Sequence, residues 1–184
     1  MITRVIDWIL SLVTRTISLE DARRWCSQAH GEQTYGDIDP KPYGASHLAS
    51  VESVARRFGF HSRIILMACW VHDVLEDTKK TVDDLIKARF PKRVIQIAQA
   101  LTDEPGANRS ERKLKTYPKI RRDRLAIVVK LCDRIANVEF SLHDDQEKHR
   151  MYINEYAAFK EHLYDPRDKR VAPMWRHLDN LLGA

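Results

Sequence analysis

The doublet His72-Asp73 and, one helical turn on, the pair Glu76-Asp77 place four ionisable groups at the end of an apolar run, Ile64-Ile65-Leu66-Met67-Ala68-Cys69-Trp70-Val71. A run that apolar predicts a buried helix, and ionisable groups at its end cost free energy unless something compensates them. A bound divalent metal is such a compensation. At helical spacing His72 lies above Glu76 and Asp73 above Asp77, giving one row for a metal and one for an acid/base pair. The alternative is a solvated helix end with an acidic cluster, and the rarity of buried charges weighs the choice toward catalysis.

Two other segments supply what the doublet lacks. His47 stands in Pro42-Tyr43-Gly44-Ala45-Ser46-His47-Leu48, just after a Pro/Gly turn and at the start of a helical pattern (Leu48, Val51, Val54, Ala55, Phe58). Asp133 interrupts the apolar stretch Val128-Val129-Lys130-Leu131-Cys132-Asp133-Arg134-Ile135-Ala136-Asn137. Singly, His47 reads as an ordinary helix-start histidine and Asp133 as a core ion-pair partner of Arg134 or Lys130. Together, His47, His72, Asp73 and Asp133 form a mixed nitrogen and oxygen ligand set. Such a set suits Mn, Fe, Zn or Mg better than the thiolate-rich pattern of a structural zinc.

The elements that must position these residues read as helices with short connections. Helices are expected over 19–30, 47–58 and 62–77, then from the Thr81 cap (Asp84 three residues on) to Arg89. Another runs from Pro91 to about Leu101, and others over 123–140 and 144–163, with a short last one from Pro173. Residues 31–45 and the Pro105-Gly106 stretch read as loops. No alternating strand pattern is visible, so the fold class is all-α. The 184 residues suit one domain with a single sizeable core. Residues 1–18 trace an amphipathic helix, apolar at 2, 5, 6, 9, 12 and 13. Asp7 interrupts any leader-like character there, and no small-residue cleavage site follows. That helix would cap the core or pair in a dimer, with membrane-surface attachment a lesser option. Residues 166–184 read as a C-terminal helical tail packed on the domain. Trp8, Trp25, Trp70 and Trp175 read as core anchors rather than ligand platforms.

Composition narrows the class. Hydrophobic content of 43% with 31% charged residues describes a globular chain, and no run is long enough to span a membrane. Cys26, Cys69 and Cys132 each sit in an apolar helical pattern, as buried reduced thiols of a cytoplasmic protein would. The net charge of +5 is largely local, in the basic segment from Arg109 to Arg124. That segment reads either as a wall attracting a polyphosphate or as a solvated loop and helix start. Nucleic acid is disfavoured, because only Tyr117 interleaves the basic residues.

The order His47, His72-Asp73, Asp133 resembles the tetrad of the HD phosphohydrolases. The words His-Asp-Val-Leu-Glu-Asp-Thr at 72–78 and Lys-Leu-Cys-Asp-Arg-Ile-Ala-Asn at 130–137 are similar to the hydrolase domains of RelA/SpoT-type alarmone enzymes, small stand-alone ones above all. Ala29-His30-Gly31-Glu32-Gln33, Pro42-Tyr43, Phe90-Pro91, Leu101-Thr102-Asp103 and Glu111-Arg112-Lys113 extend the likeness from about residue 20 to about 164.

The resemblance implies a single HD-domain helical bundle, over 19–165, with a metal site between helices. It implies Mn2+ (another divalent metal being possible) on His47, His72, Asp73 and Asp133, and removal of the 3′-pyrophosphate of guanosine tetra- or pentaphosphate. Glu76 and Asp77 would be the catalytic acid and base. Asn137, one turn beyond Asp133, is either a buried amide or a substrate contact, and the resemblance favours contact. Lys130 and Arg134 share its face, so one would meet the pyrophosphate while the other pairs with a carboxylate such as Asp73 or Asp77. Ser46, Tyr35, Arg112 and Lys113 complete the expected substrate contacts.

One stretch departs from the family. Where alarmone hydrolases carry Arg and Lys that pack on guanine, this chain reads Thr34-Tyr35-Gly36-Asp37. Tyr35 would stack a base in their place, or be structural. The expected partner is a small nucleotide, with no nucleic acid and no membrane, and the oligomeric state stays open. The alternatives are an HD-type nucleotide phosphatase, an NADPH 2′-phosphatase, or a non-catalytic nucleotide-binding HD module.

Overall fold

The structure, a computed structural model, describes residues 16–183. The amphipathic helix expected over residues 1–18, and Trp8 with it, lies outside the described residues except for 16–18, which are non-helical. Ser18 accepts the N–H of Asp21 and so caps α1 (Leu19–His30), whose first turn carries Glu20 and Asp21 where the helix dipole favours them.

A short antiparallel pair follows, β1 (Thr34–Tyr35) with β2 (Lys41–Pro42). Two residues per strand are too few for an alternating pattern to register in the sequence. Gly36 between them has φ +100, and a Cβ there would meet the Phe140 ring at 3.0 Å. Only glycine lets this loop lie so close to the helix beneath it.

A π-helical turn, Gly44–Leu48, leads into α2 (Ala49–Arg57). A Cβ on Gly44 would collide with the side chain of Ser27, so glycine permits the turn to press against α1. Next come α3 (Arg63–Val71), capped by Ser62, and α4 (Val74–Asp77). Every residue from Ile65 to Val71 is buried, as expected of a helix that is apolar all round.

The continuous helix expected over 62–77 is broken at His72-Asp73. Asp73 has φ −97 and ψ −6, off the helical values. Its carbonyl still accepts the N–H groups of Glu76 (3.1 Å) and Asp77 (2.8 Å), so the chain turns without losing direction. The unbroken apolar run upstream gives no sign of this break.

Then follow α5 (Val82–Lys87), with the Thr81–Asp84 capping box in place, and α6 (Lys92–Leu101), with Pro91 as its N-cap. The basic segment forms α7 (Arg109–Arg121), capped by Asn108, where the sequence suggested a loop and helix start. Its inward face is Lys113, Thr116, Tyr117 and Ile120, a stripe too polar to read as a core face. The chain closes with α8 (Arg124–Asp144), α9 (Gln146–Leu163) and α10 (Ala172–Leu182).

α8 is the central helix. It packs on α2, α3, α6, α7, α9 and α10, while α3 packs on α1, α2 and α6. α10 buries Met174, Trp175, Leu178 and Leu182 against this framework, each buried side chain of that size stabilising the fold by about 1.5–3 kcal/mol. Trp70 and Trp175 are core residues, and Trp25 is half-buried edge-on to Phe90. Cys26, Cys69 and Cys132 are buried free thiols. Among the described residues no helix is long and apolar enough to cross a membrane. The all-α expectation is borne out.

Candidate active site

Two breaks and one helix face converge on the four expected ligands. His47 sits in the π-helical turn, where the N–H of Leu48 reaches back to the carbonyl of Tyr43 at 3.3 Å. Such widened turns recur at functional sites because they re-aim one side chain. His72 and Asp73 occupy the break between α3 and α4, and Asp133 projects from the middle of α8. One donor atom each from His47, His72 and Asp133 lies within 4.8 Å of the others. Asp73 joins them: its Oδ2 is 2.9 Å from His72 Nε2 and 3.5 Å from His47 Nε2. Asp133 Oδ1 is 3.4 Å from His47 Nε2 and 3.6 Å from His72 Nε2.

The donor chemistry fits a divalent cation. His72 Nδ1 faces the carbonyl of Cys69 at 2.8 Å, so it must be the protonated nitrogen. Nε2 is then the nitrogen from which a cation can displace the proton, turned toward the two carboxylates and without a well-aligned hydrogen bond among the described residues. This is the orientation that a ligating histidine needs. Burial alone would push both imidazoles down. For His47 the carboxylates of Asp133 and Asp73 outweigh it, and for His72 those of Asp73 and Asp133 do, holding both above their ordinary value. Burial likewise pushes the two carboxyls up, but His72 and His47 hold Asp73 well below the usual range, and Lys130 with the histidines does so for Asp133. The cluster therefore draws positive charge to its centre, a demand that one divalent cation satisfies.

A second set of contacts fixes these groups. Tyr43 Oη donates to Asp73 Oδ2 at 2.6 Å. Lys130 Nζ donates to Asp133 Oδ2 at 2.8 Å, and Asn137 Nδ2 donates to Asp133 Oδ1. Asn137 Oδ1 accepts from Tyr35 Oη at 2.7 Å, so this amide is engaged on both sides. Tyr35 lies between the rings of His47 (4.8 Å) and Phe140 (4.4 Å) rather than free in its loop. Ser46, next to His47, donates to the Pro42 carbonyl at 3.0 Å.

Glu76 and Asp77 line the same pocket. Burial raises both carboxyls above the ordinary range; the charge of Asp73 adds to this for Asp77, whereas Lys113 opposes it for Glu76. Gln33 hydrogen-bonds Asp77 while its Oε1 accepts from His30 Nδ1 at 2.8 Å. His30 in turn stacks on Tyr43 at 4.6 Å. The words His30-x-x-Gln33 and Pro42-Tyr43 thus serve one structural job: they brace Asp77 and Asp73.

The opposite wall comes from α7, α8 and α9. The pocket is about 200 Å³ and almost wholly polar, and its cations are Arg109, Lys113, Lys130 and Arg134. Lys113 pairs with Asp103 at 2.8 Å. Arg134 does not pair with Asp73 or Asp77; it meets Glu155 at 3.1 Å under the rings of Tyr152 and Phe159. Glu155 also holds Arg109 at 2.6 Å. Arg112 lies 3.6 Å from Asp103 and does not line the pocket. Elsewhere on α7, Lys115 pairs with Glu111 and Lys119 with Glu104, while Arg121 donates to the carbonyl of His162. The basic run is thus a largely paired helix face that sends Arg109 and Lys113 into the site. Sequence reasoning passed over Tyr43, Arg109, Tyr152 and Glu155. Tyr43 and Arg109 stood in segments it had marked, whereas nothing local marks Tyr152 or Glu155.

A metazoan SpoT orthologue, whose structure is described as that of a protein that hydrolyses ppGpp and plays a role in starvation responses, superposes with a TM-score of 0.78 at 21% identity, over 92% of this chain and 96% of that one. The fold is the HD-domain helical bundle. A Listeria monocytogenes protein of known structure aligns with a TM-score of 0.55 at 18% identity, over 76% of this chain and all of that one. In sequence, the chain is 25% identical over 131 residues to the human protein named guanosine-3′,5′-bis(diphosphate) 3′-pyrophosphohydrolase MESH1, covering 65% of this chain and 67% of that one. The Xenopus tropicalis protein of the same name is 27% identical over 129 residues, 64% of this chain and 66% of that one. The chain thus spans about two thirds of the length of the curated relatives it matches. No family profile matches the chain. The resemblance read from the sequence is borne out in fold and in these relatives.

Proposed function

We propose that this chain is a metal-dependent phosphohydrolase that cleaves the 3′-pyrophosphate from guanosine tetra- or pentaphosphate, giving GDP or GTP and pyrophosphate, with Mn2+ as the metal. The observation that carries this reading is the orientation of His72, whose Nδ1 is held by the Cys69 carbonyl so that Nε2 faces Asp73 and Asp133, with His47 beside it and Glu76 and Asp77 along the same wall. The names of the human and Xenopus tropicalis relatives support the substrate.

A divalent cation held by His47, His72, Asp73 and Asp133 supplies Lewis acidity to a water and to the phosphoryl group. The remaining chemistry belongs to the chain. One of Glu76 and Asp77, ionised, takes the proton of the attacking water as its oxygen bonds to phosphorus. The other, protonated, delivers a proton to the ribose 3′-oxygen as the P–O bond breaks. Two neighbouring carboxyls with raised proton affinities suit this division. Lys130, Lys113 and Arg109 offset the charge of the pyrophosphoryl group under attack. Three buried free thiols fit a cytoplasmic setting.

One observation favours a second reading. Tyr35 is tied to Asn137 and packed on His47, where alarmone hydrolases carry base-packing Arg and Lys. A nucleotide phosphatase or NADPH 2′-phosphatase would tolerate that change. A panel of guanosine tetraphosphate, NADPH, and guanine and adenine mononucleotides, ranked by kcat/KM with Mn2+, separates the two. Guanosine tetraphosphate leads the ranking if the first reading holds, and NADPH or a mononucleotide leads if the second does.

A further inference from the structure

The cations that line the catalytic pocket are not neutralised alike. Lys113 has the carboxylate of Asp103 at 2.8 Å, and Lys130 has that of Asp133 at 2.8 Å. Arg109 and Arg134 share a single carboxylate, that of Glu155. Arg109 comes from the first turn of α7, Arg134 from the middle of α8 and Glu155 from α9, so these three residues join three helices that pack on one another. Glu155 Oε1 accepts from Arg109 Nε at 2.6 Å. Its Oε2 accepts from Arg134 Nη2 at 3.1 Å and, at 3.4 Å, from Arg109 Nη2. Both oxygens are needed to hold the two guanidiniums. Burial pushes the Glu155 carboxyl up, but Arg109 and Arg134 outweigh this and hold it below the ordinary value.

Arg134 is buried, its guanidinium carbon 4.7 Å from the ring centre of Tyr152 and 4.6 Å from that of Phe159. The rings attract its charge but offer no oxygen to its donors. Its Nη1 is buried with no hydrogen-bond partner among the described residues. A donor left open in this way costs free energy, which an anion in the pocket would offset. Two guanidiniums against one carboxylate also leave positive charge over, and the planar fork of arginine matches phosphate oxygens. Glu155 itself does not line the pocket; it faces a separate cleft between α7 and α9. Its influence on whatever the pocket holds therefore passes through the two arginines.

We propose that Glu155 is a positioning residue: holding Arg109 with one oxygen and Arg134 with the other, it sets both guanidiniums on one pyrophosphoryl group that it does not itself touch. The proposal rests on the phosphohydrolase reading above for its substrate, and on the shared carboxylate for its geometry.

Glu155→Gln separates position from charge. The amide keeps the size of the side chain and one accepting oxygen, but its NH2 cannot accept from a second guanidinium. Neutralising a carboxylate also makes the wall more positive, which by itself would tighten the binding of an anion. A loss of affinity therefore reports geometry. Titration calorimetry of Mn2+-loaded protein with inorganic pyrophosphate should show affinity falling by about 10- to 100-fold, the worth of one lost hydrogen bond between charged groups. Arg109→Gln should weaken binding by a similar factor. In the double variant the amide oxygen is free for Arg134 alone, so affinity should stay within about threefold of Arg109→Gln instead of falling by the product of the two losses.

Affinity that is unchanged or tighter in Glu155→Gln, or two losses that multiply, would overturn the proposal, as would failure of the unmodified protein to bind pyrophosphate. If urea unfolding shows that Glu155→Gln does not fold, Glu155→Asp decides the matter. It keeps the charge and shortens the reach by one methylene, so affinity should still fall, and undiminished affinity would overturn the proposal. If the expected losses are found and guanosine tetraphosphate is nevertheless left intact, the role of Glu155 stands and the phosphohydrolase reading falls.

Discussion

His72 donates its Nδ1 proton to the carbonyl oxygen of Cys69, three residues back, at 2.8 Å. That bond decides which nitrogen faces the carboxylates of Asp73 and Asp133, so a main-chain acceptor on α3 orients the proposed ligand at the end of the same helix. Removing a carboxylate leaves three ligands around a poorly neutralised centre. Asp73→Ala and Asp133→Ala should each lose both bound metal and activity, as read by elemental analysis and turnover. Full metal occupancy in both variants would contradict the ligand assignment.

Glu76→Gln and Asp77→Asn should keep the metal and lose turnover by about 10²–10⁴-fold. The pH profile carries a sign as well. Burial raises both carboxyls, and the charge of a bound divalent cation opposes that rise in both. The base must be ionised, so kcat/KM should fall with falling pH along an acid limb. In one of the two variants that limb should vanish. Near-normal rates in both, or a limb that survives in both, would assign proton transfer to other groups.

Gln33 bridges His30 and Asp77 without lining the pocket. Gln33→Leu should therefore lower kcat by about 10- to 100-fold, the usual cost of losing a group that orients a functional side chain, with KM and metal content little changed. A variant with normal kcat would make the bridge structurally incidental.

The candidate ligand cluster was legible in the sequence because its residue types are costly to bury and their order across three helices is distinctive. His47, His72, Asp73 and Asp133 do converge. The break at His72-Asp73 was hidden, since the apolar run from Ile64 to Val71 continues the helical pattern up to it. α7 was hidden for the opposite reason: Lys113 and Thr116 serve on its buried face, so no apolar stripe marks it. The Arg109–Glu155 and Tyr35–Asn137 contacts join residues 46 and 102 positions apart, and no local pattern encodes such pairs.

Glu52 ties α1, α2 and α3 together, accepting from Arg23 Nε at 2.9 Å, from Arg56 Nε at 2.8 Å and from Trp70 Nε1. Burial pushes its carboxyl up, but Arg23, Trp70 and Arg56 outweigh this and hold it below the ordinary value. A lowered folded value means that the stabilisation is present above the unfolded glutamate range, about 4.3, and is lost as pH falls through the folded one. Glu52→Gln should cost about 2–3 kcal/mol at neutral pH, less than a fully buried pair because both arginines keep solvent contact. It should also flatten stability between neutral pH and pH 4 in urea unfolding. A neutral-pH loss under about 0.5 kcal/mol would show the network to be idle.

The bond that is broken tests the account most directly. Mn2+-loaded protein incubated with guanosine tetraphosphate, followed by phosphorus NMR and nucleotide chromatography, should yield GDP and pyrophosphate in equal amounts, with none formed by Asp133→Ala. Release of inorganic phosphate alone, or no turnover despite full metal occupancy, would contradict it.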